Sequence, residues 1–320
     1  MKNKPPSLLI CFILIFSLVS CQRTPPAPST PSTSAERLPP VAPVLPLPNP
    51  NLTQTIETGY TLVGAGDIAV CGLSRDDQTA HLLASIPGTI FTAGDNSNQQ
   101  GTLEQYQNCF EPNWGRFKDR MRPAIGNHDA KGDLNYYTYF GEQAGASGEG
   151  YYSYNLGSWH IIVLNSNCVY EENCGPDTRQ YDWLKADLEA HPDLCSLAYW
   201  HHPRFSSGLH GGNPQIDPFW QLLYESGNEI VINGHDHHYE RFAPQTPSGY
   251  ANEGGIRQFI VGTGGAFLRP LENEPAANSS IRIDYSFGVL RLTLYQERYE
   301  WSYIDTSGLT LDSGQGSCHP

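Results

Sequence analysis

The sequence predicts an α/β domain in which short buried strands alternate with helices. Three observations predict it. Short apolar runs rich in Ile, Val, Leu and aromatic residues recur from Gly59 onward, and each ends in polar, ligand-type residues. Helical patterns separate several of these runs. After Phe287 the pattern turns to alternation, as expected of closing antiparallel strands.

Taken in order, the runs are these. Residues 60–65 lead into Gly66-Asp67, 89–93 into Gly94-Asp95, and 122–125 into Gly126-Asn127-His128-Asp129. Residues 160–164 lead into Asn165-Ser166-Asn167, and 196–200 into His201-His202. Residues 229–232 lead into Asn233-Gly234-His235-Asp236-His237, and 259–261 into Gly262-Thr263-Gly264-Gly265. Helices are predicted over 77–84, 178–190 and 219–225. In the second, Tyr181, Leu184 and Leu188 share a face and Asp177 is the expected N-cap. Residues 289–295 and 299–303 are the closing strands. The aromatic cluster Tyr136, Tyr137, Tyr139 and Phe140 reads equally as core packing or as a platform for a substrate ring. Open α/β sheets gather ligands outside the carboxyl ends of their strands, so one site assembled from several loops is expected.

The first segment carries an address. Lys2 and Lys4 precede an apolar stretch over 8–19 that is too short to span a bilayer and reads as a signal peptide. Leu18-Val19-Ser20-Cys21 resembles the bacterial lipobox, with Cys21 as the lipid attachment site. Residues 22–56 hold ten prolines and read as an extended tether, leaving 57–320 as the folded catalytic domain. The expectation is an exported, membrane-anchored bacterial lipoprotein on the periplasmic or cell-surface side. With Cys11 lost and Cys21 acylated, six cysteines remain, an even number suited to an oxidising compartment. Cys168 and Cys174 are near neighbours in sequence. Cys71–Cys109 and Cys195–Cys318 are the expected pairings of the rest, though spacing alone leaves the other connectivities open.

Lys and Arg number 19 against 33 Asp and Glu, a formal charge of −14. Such a surface repels a nucleic-acid backbone, so no nucleic-acid partner is expected. An anionic substrate would need a local reversal of that field, which a metal cluster provides. Asp67, Asp95, Asn127, His128, His201, His235 and His237 form a mixed oxygen and nitrogen donor set suited to Fe, Mn or Zn.

Gly-Asp at 66–67, Gly-Asp at 94–95, Gly-Asn-His-Asp at 126–129, His-His-Pro at 201–203 and Gly-His-Asp-His at 234–237 resemble the calcineurin-like metallophosphoesterases. The continuation His238-Tyr239-Glu240-Arg241 resembles the purple acid phosphatase branch more narrowly. The resemblance spans about residues 59 to 305 and implies a four-layer αββα sandwich with two central mixed β-sheets. It implies two divalent or trivalent metal ions. Asp67 and His237 would hold the first metal, Asp95 would bridge, and Asn127, His201 and His235 would hold the second. His128 would contact the phosphoryl oxygens with Asp129 orienting its ring, and His210 would protonate the leaving oxygen. Asn127, His202 and His210 would face the substrate, although His202, next to a proline, reads more readily as packing.

Two departures from that pattern stand out. The purple enzymes have a tyrosine where this chain has Asn98, and other metallophosphoesterases have a histidine where it has Ala69. The first metal is left with Asp67, Asp95 and His237, plus solvent or the Asn98 carbonyl. The resemblance therefore implies hydrolysis of a small phosphate ester by in-line attack of a metal-bridged hydroxide, with a phosphomonoester first and no tyrosinate colour. A phosphodiesterase or nucleotide hydrolase on the same centre, and a non-catalytic metal- or partner-binding lipoprotein, are the alternatives. His160 reads as structural, as do Trp114 and Trp220.

Overall fold

The computed structural model describes residues 57–319 apart from 172, 193, 272 and 273. The signal segment, Cys21 and the proline-rich tether lie outside the described residues. The strands are β1 (Tyr60–Ala65), β2 (Thr89–Ala93), β3 (Met121–Ala124), β4 (Tyr152–Leu156), β5 (Trp159–Val163), β6 (Cys195–Tyr199) and β7 (Ile230–Asn233). They continue as β8 (Tyr239–Phe242), β9 (Arg257–Val261), β10 (Ser279–Ile283), β11 (Gly288–Leu294), β12 (Arg298–Asp305) and β13 (Thr310–Ser317).

Two mixed sheets result. One has the order β13-β12-β11-β1-β2-β3, the other β10-β8-β9-β7-β6-β5-β4. In the first, β1, β2 and β3 run parallel while β11 to β13 close it antiparallel. In the second, β5, β6, β7 and β9 are parallel and β4, β8 and β10 are antiparallel additions. The parallel strands are buried along nearly their whole length, which is why they read as continuous apolar runs rather than alternations.

Aromatic rings join the two sheets. Phe91 meets Tyr199 at 5.7 Å between centroids, Tyr239 stacks on Tyr303 at 4.0 Å, and Phe259 meets Trp301 at 5.8 Å. Each such pair adds roughly 0.5–1.5 kcal/mol beyond its buried area. A polar node crosses the same seam. Asp312 on β13 accepts from the Tyr239 hydroxyl, both arms of the Arg241 guanidinium and the Trp301 indole N–H. That buried carboxylate is thus fully partnered.

Helices cover both outer faces. Arg75–Ser85 buries Ala80 and Leu83 against the first sheet. Arg179–Ala190 and Asp217–Glu225 bury Leu184, Leu188, Phe219, Trp220 and Leu223 in a second cluster with Val231 and Ala198 of the other sheet. The helix from Arg179 is capped by Thr178, whose hydroxyl accepts from the Tyr181 amide, rather than by Asp177, which takes φ 70°. The aromatic cluster forms a short helix, Asn135–Phe140, with Tyr139 and Phe140 packed on Tyr106 and Phe110 and Tyr136 buried against Phe140. It is core, which overturns the substrate-platform reading. Trp114 and Trp220 are fully buried, and His160 is bonded at both ring nitrogens by Asn155 and Asp187, as a structural residue should be.

Three disulfides, Cys71–Cys109, Cys168–Cys174 and Cys195–Cys318, match the expected pairings. Among the described residues no helix is long and apolar enough to cross a membrane.

Candidate metal centre

Carboxyl ends of strands from both sheets converge on one buried cluster. Asp67 follows β1, Asp95 follows β2, and Asn127 opens a short helix after β3. His201 follows β6, and His235 and His237 lie between β7 and β8. Asp67, Asp95 and His235 have φ of 57°, 52° and 70°, a left-handed backbone that turns each side chain sharply out of its strand. The neighbouring glycines make room for this. A Cβ on Gly126 would stand 2.2 Å from the Asp95 carboxylate, and one on Gly94 would stand 2.6 Å from the His201 ring.

Side-chain donors then meet at close range. His201 Nε2 is 3.0 Å from Asn127 Oδ1, 3.2 Å from His235 Nδ1 and 3.3 Å from Asp95 Oδ2. His235 Nδ1 is 3.1 Å from Asn127 Oδ1. On the other side His237 Nε2 is 3.2 Å from Asp67 Oδ1. Two ring tautomers are set from outside the cluster. His201 Nδ1 donates to the Ala93 carbonyl at 2.9 Å, and His237 Nδ1 donates to the Phe267 carbonyl at 2.6 Å. In a neutral ring, each Nε2 therefore turns a lone pair toward other oxygen lone pairs. Acceptors facing acceptors repel unless a cation stands between them. The donor set thus fits a metal centre on its own geometry.

The same conflict shows in the protonation behaviour. Burial lowers the His201 pKa, but the Asp95 and Asp67 carboxylates overcome it and push it up to about 9. Burial raises the carboxyls of Asp67 and Asp95, yet His237 beside the first and His201 beside the second hold both below the usual range. His235, buried and next to His201, is driven far down. A proton on His201 does in the free protein what a metal ion would do in the loaded one.

The remaining expected residues divide. His128 lines the cluster, with its amide donating to Asp95 Oδ1 at 2.7 Å and Nε2 3.9 Å from Asp95 Oδ2. Its ring, however, is held by the Gln99 carbonyl at Nδ1, 2.6 Å away, and not by Asp129. Asp129 points the other way and accepts from the amides of Asn96, Ser97 and Gly126 and from the Tyr106 hydroxyl. It ties the loops of two motifs together and does not touch the His128 ring. Asn98 reaches both carboxylates with its amide nitrogen, 3.2 Å from Asp67 Oδ1 and 3.4 Å from Asp95 Oδ2. In that arrangement its amide nitrogen is a donor between the two carboxylates.

His202 is buried, with Ser166 Oγ at Nδ1 (2.8 Å) and the Tyr170 hydroxyl at Nε2 (3.1 Å). Both ring nitrogens of His202 are thus engaged by neighbouring side chains. Burial, with His201 and His235 adding to it, keeps its pKa well below the ordinary value. His210 lies on an exposed loop, its ring 4.5 Å from that of His235. Asp236 holds that loop, accepting from the His210 amide and from the Ser206 hydroxyl. Gln99, Asp236, Ser166 and Tyr170 were not singled out in the sequence. Only the inner Asp236 of the Gly-His-Asp-His motif carried a signal that could have found it.

Two stacked mixed sheets with a histidine and carboxylate cage at their strand ends define a metallophosphoesterase fold. The chain belongs to the calcineurin-like phosphoesterase family, whose profile matches residues 60–239. It falls in the purple acid phosphatase-like branch. It is 29% identical over 220 residues to Purple acid phosphatase 15 of Arabidopsis thaliana, covering 55% of this chain and 41% of that one. It is 26% identical over 262 residues to Purple acid phosphatase 18 of Arabidopsis thaliana, covering 71% and 55%. The chain thus spans about half the length of these curated relatives. The fold is shared with the purple acid phosphatase PPD1 of yellow lupin (Lupinus luteus) seeds at a TM-score of 0.65 and 19% identity, over 82% of this chain and 54% of that one.

Proposed function

We propose that the protein is a dinuclear-metal phosphatase that hydrolyses small phosphate monoesters. One observation carries the reading. His201 Nε2, His235 Nδ1, Asn127 Oδ1 and the Asp95 carboxylate meet within 3.0–3.3 Å beside the Asp67–His237 pair. Asp67 and His237 would hold one ion, Asn127, His201 and His235 the other, and Asp95 would bridge them. Such a centre supplies Lewis acidity toward phosphoryl oxygens and makes water nucleophilic near neutral pH.

The chain's own residues do the rest. His128, seated on Asp95 and held at Nδ1 by the Gln99 carbonyl, would offer Nε2–H to a phosphoryl oxygen as charge grows there. His210, steadied through its amide by Asp236, would give the departing alcohol its proton. Asp129 would serve as the brace that keeps the Asp95 and Asn127 loops in register. The three disulfides support export to an oxidising compartment, where lipid on Cys21 would anchor the domain.

The test is elemental analysis of the purified protein beside a panel of phosphate mono- and diesters. Two equivalents of Fe, Mn or Zn with faster monoester turnover support the reading. Absence of bound metal after supplementation, or turnover of diesters alone, defeats it.

A further inference from the structure

We propose that Arg269 is an anion-binding residue of this site, taking an anionic oxygen of the phosphate ester; the proposal rests on the phosphatase reading above. The segment that carries Arg269 is built onto a cage residue. The Phe267 carbonyl accepts from His237 Nδ1 at 2.6 Å, and the Arg269 amide donates to the His237 carbonyl at 3.0 Å. The backbone that carries this side chain is thereby tethered to a residue of the cage. Its charge is felt by both His210 and His237, where it disfavours the protonated rings.

Arg269 is a half-buried cation with no carboxylate partner among the described residues, whereas Arg179 and Arg291, equally unpaired, are exposed to solvent. Arg204, Arg241 and Arg298 each pair with a carboxylate. Arg269 makes no side-chain hydrogen bond or ion pair among the described residues, and its Nε–H is shut off from solvent with no acceptor. In a chain with 33 acidic residues to 19 basic ones, a cation left unpaired next to a cage of histidines and carboxylates is a conspicuous expense. An anion arriving at the site would pair with a guanidinium charge that no carboxylate neutralises among the described residues. The planar fork of arginine suits two oxygens of one phosphate group. The acidic surface gains a fixed positive group at the place where a phosphate must enter.

The anionic oxygen could belong to the reacting phosphoryl group or to a second phosphate on the leaving group. Three measurements on the metal-loaded full chain separate these. They are the Kd for inorganic phosphate by calorimetry, and KM and kcat for p-nitrophenyl phosphate and for fructose 1,6-bisphosphate. Arg269→Met and Arg269→Gln remove the charge in two different ways, and Arg269→Lys restores charge without the fork. Thermal unfolding identifies any variant that fails to fold.

If Arg269 meets the reacting group, phosphate Kd and both KM values rise tenfold or more in the Met and Gln variants, with partial rescue by Lys. If it meets a second group, only the bisphosphate KM rises, to the same degree. Values within twofold of the parent in folded variants overturn the proposal, as does a parent that binds no phosphate. A parent that binds phosphate through Arg269 but turns over neither ester leaves this inference standing and removes the phosphatase reading instead.

Discussion

Asn98 donates its amide N–H to Asp67 Oδ1, the same carboxylate oxygen that faces His237 Nε2 at 3.2 Å. In the purple acid phosphatase pattern a tyrosine stands at this position, and its phenolate gives the ferric centre its colour. Here the position holds a neutral donor that draws on a carboxylate oxygen the first ion would need. Iron-loaded protein should show no intense visible charge-transfer band. Asn98→Tyr should introduce one on ferric loading, and the substituted protein should release iron to EDTA more slowly than the parent. A strong visible band in the parent protein would remove the argument.

His128 is the clearest place to separate catalysis from metal holding. It contacts Asp95 through its backbone amide, and its ring nitrogen stands 3.9 Å from the carboxylate rather than inside the cage. His128→Ala leaves the backbone amide in place. The expected outcome is a loss of about 10²–10³ in kcat/KM for a monoester, the usual cost of one donor to a developing oxyanion, with metal content unchanged. Loss of metal in step with activity would make His128 a ligand instead.

The cage was legible in the sequence because its parts are local. Each cage residue sits within a few residues of an apolar run, and the topology of parallel strands brings run ends together whatever the intervening loops do. The orienting partners were not legible. Gln99 acts on His128 through a backbone carbonyl, and Ala93 and Phe267 do the same for His201 and His237, so no side chain marks them. Asp129 was read by its neighbour in sequence, yet a four-residue helix turns it toward Asn96 and Tyr106. Arg269 lies outside every motif. Strand β13 escaped notice for a different reason. Its run Asp312-Ser313-Gly314-Gln315-Gly316 lacks β-branched residues because the Trp301 and Tyr299 rings lie so close that a Cβ on Gly314 or Gly316 would come within 2.3–2.4 Å of them.

Metal loading should release protons. Burial lowers the His201 pKa, but Asp95 and Asp67 bring it to about 9, so below that pH the free protein keeps a proton on the ring that an ion must displace. Apparent metal affinity should therefore climb with pH up to about 9 and then level off on this account. Calorimetry of zinc binding in buffers of differing ionisation enthalpy would count the protons. A pH-independent affinity between 6 and 8 with no proton release would contradict the assignment of His201 to the cage.

Glu229, next to β7, offers a stability test remote from the metal. Burial raises its pKa to about 7, opposed only in part by the His319 amide that donates to its carboxylate at 2.6 Å. The unfolded chain gives up that proton near the ordinary carboxylate value, so between roughly pH 4.5 and 7 the folded state binds more protons than the unfolded one. Stability from this group must then fall as pH rises through that window, and the ionised carboxylate is carried at a cost above it. Glu229→Gln keeps the shape and an acceptor oxygen without the charge. Its unfolding midpoint should exceed the parent's at pH 8, and the difference should shrink or reverse by pH 4.5. A midpoint below the parent's at pH 8 would mean that the His319 and Glu229 pair stabilises the ionised form after all.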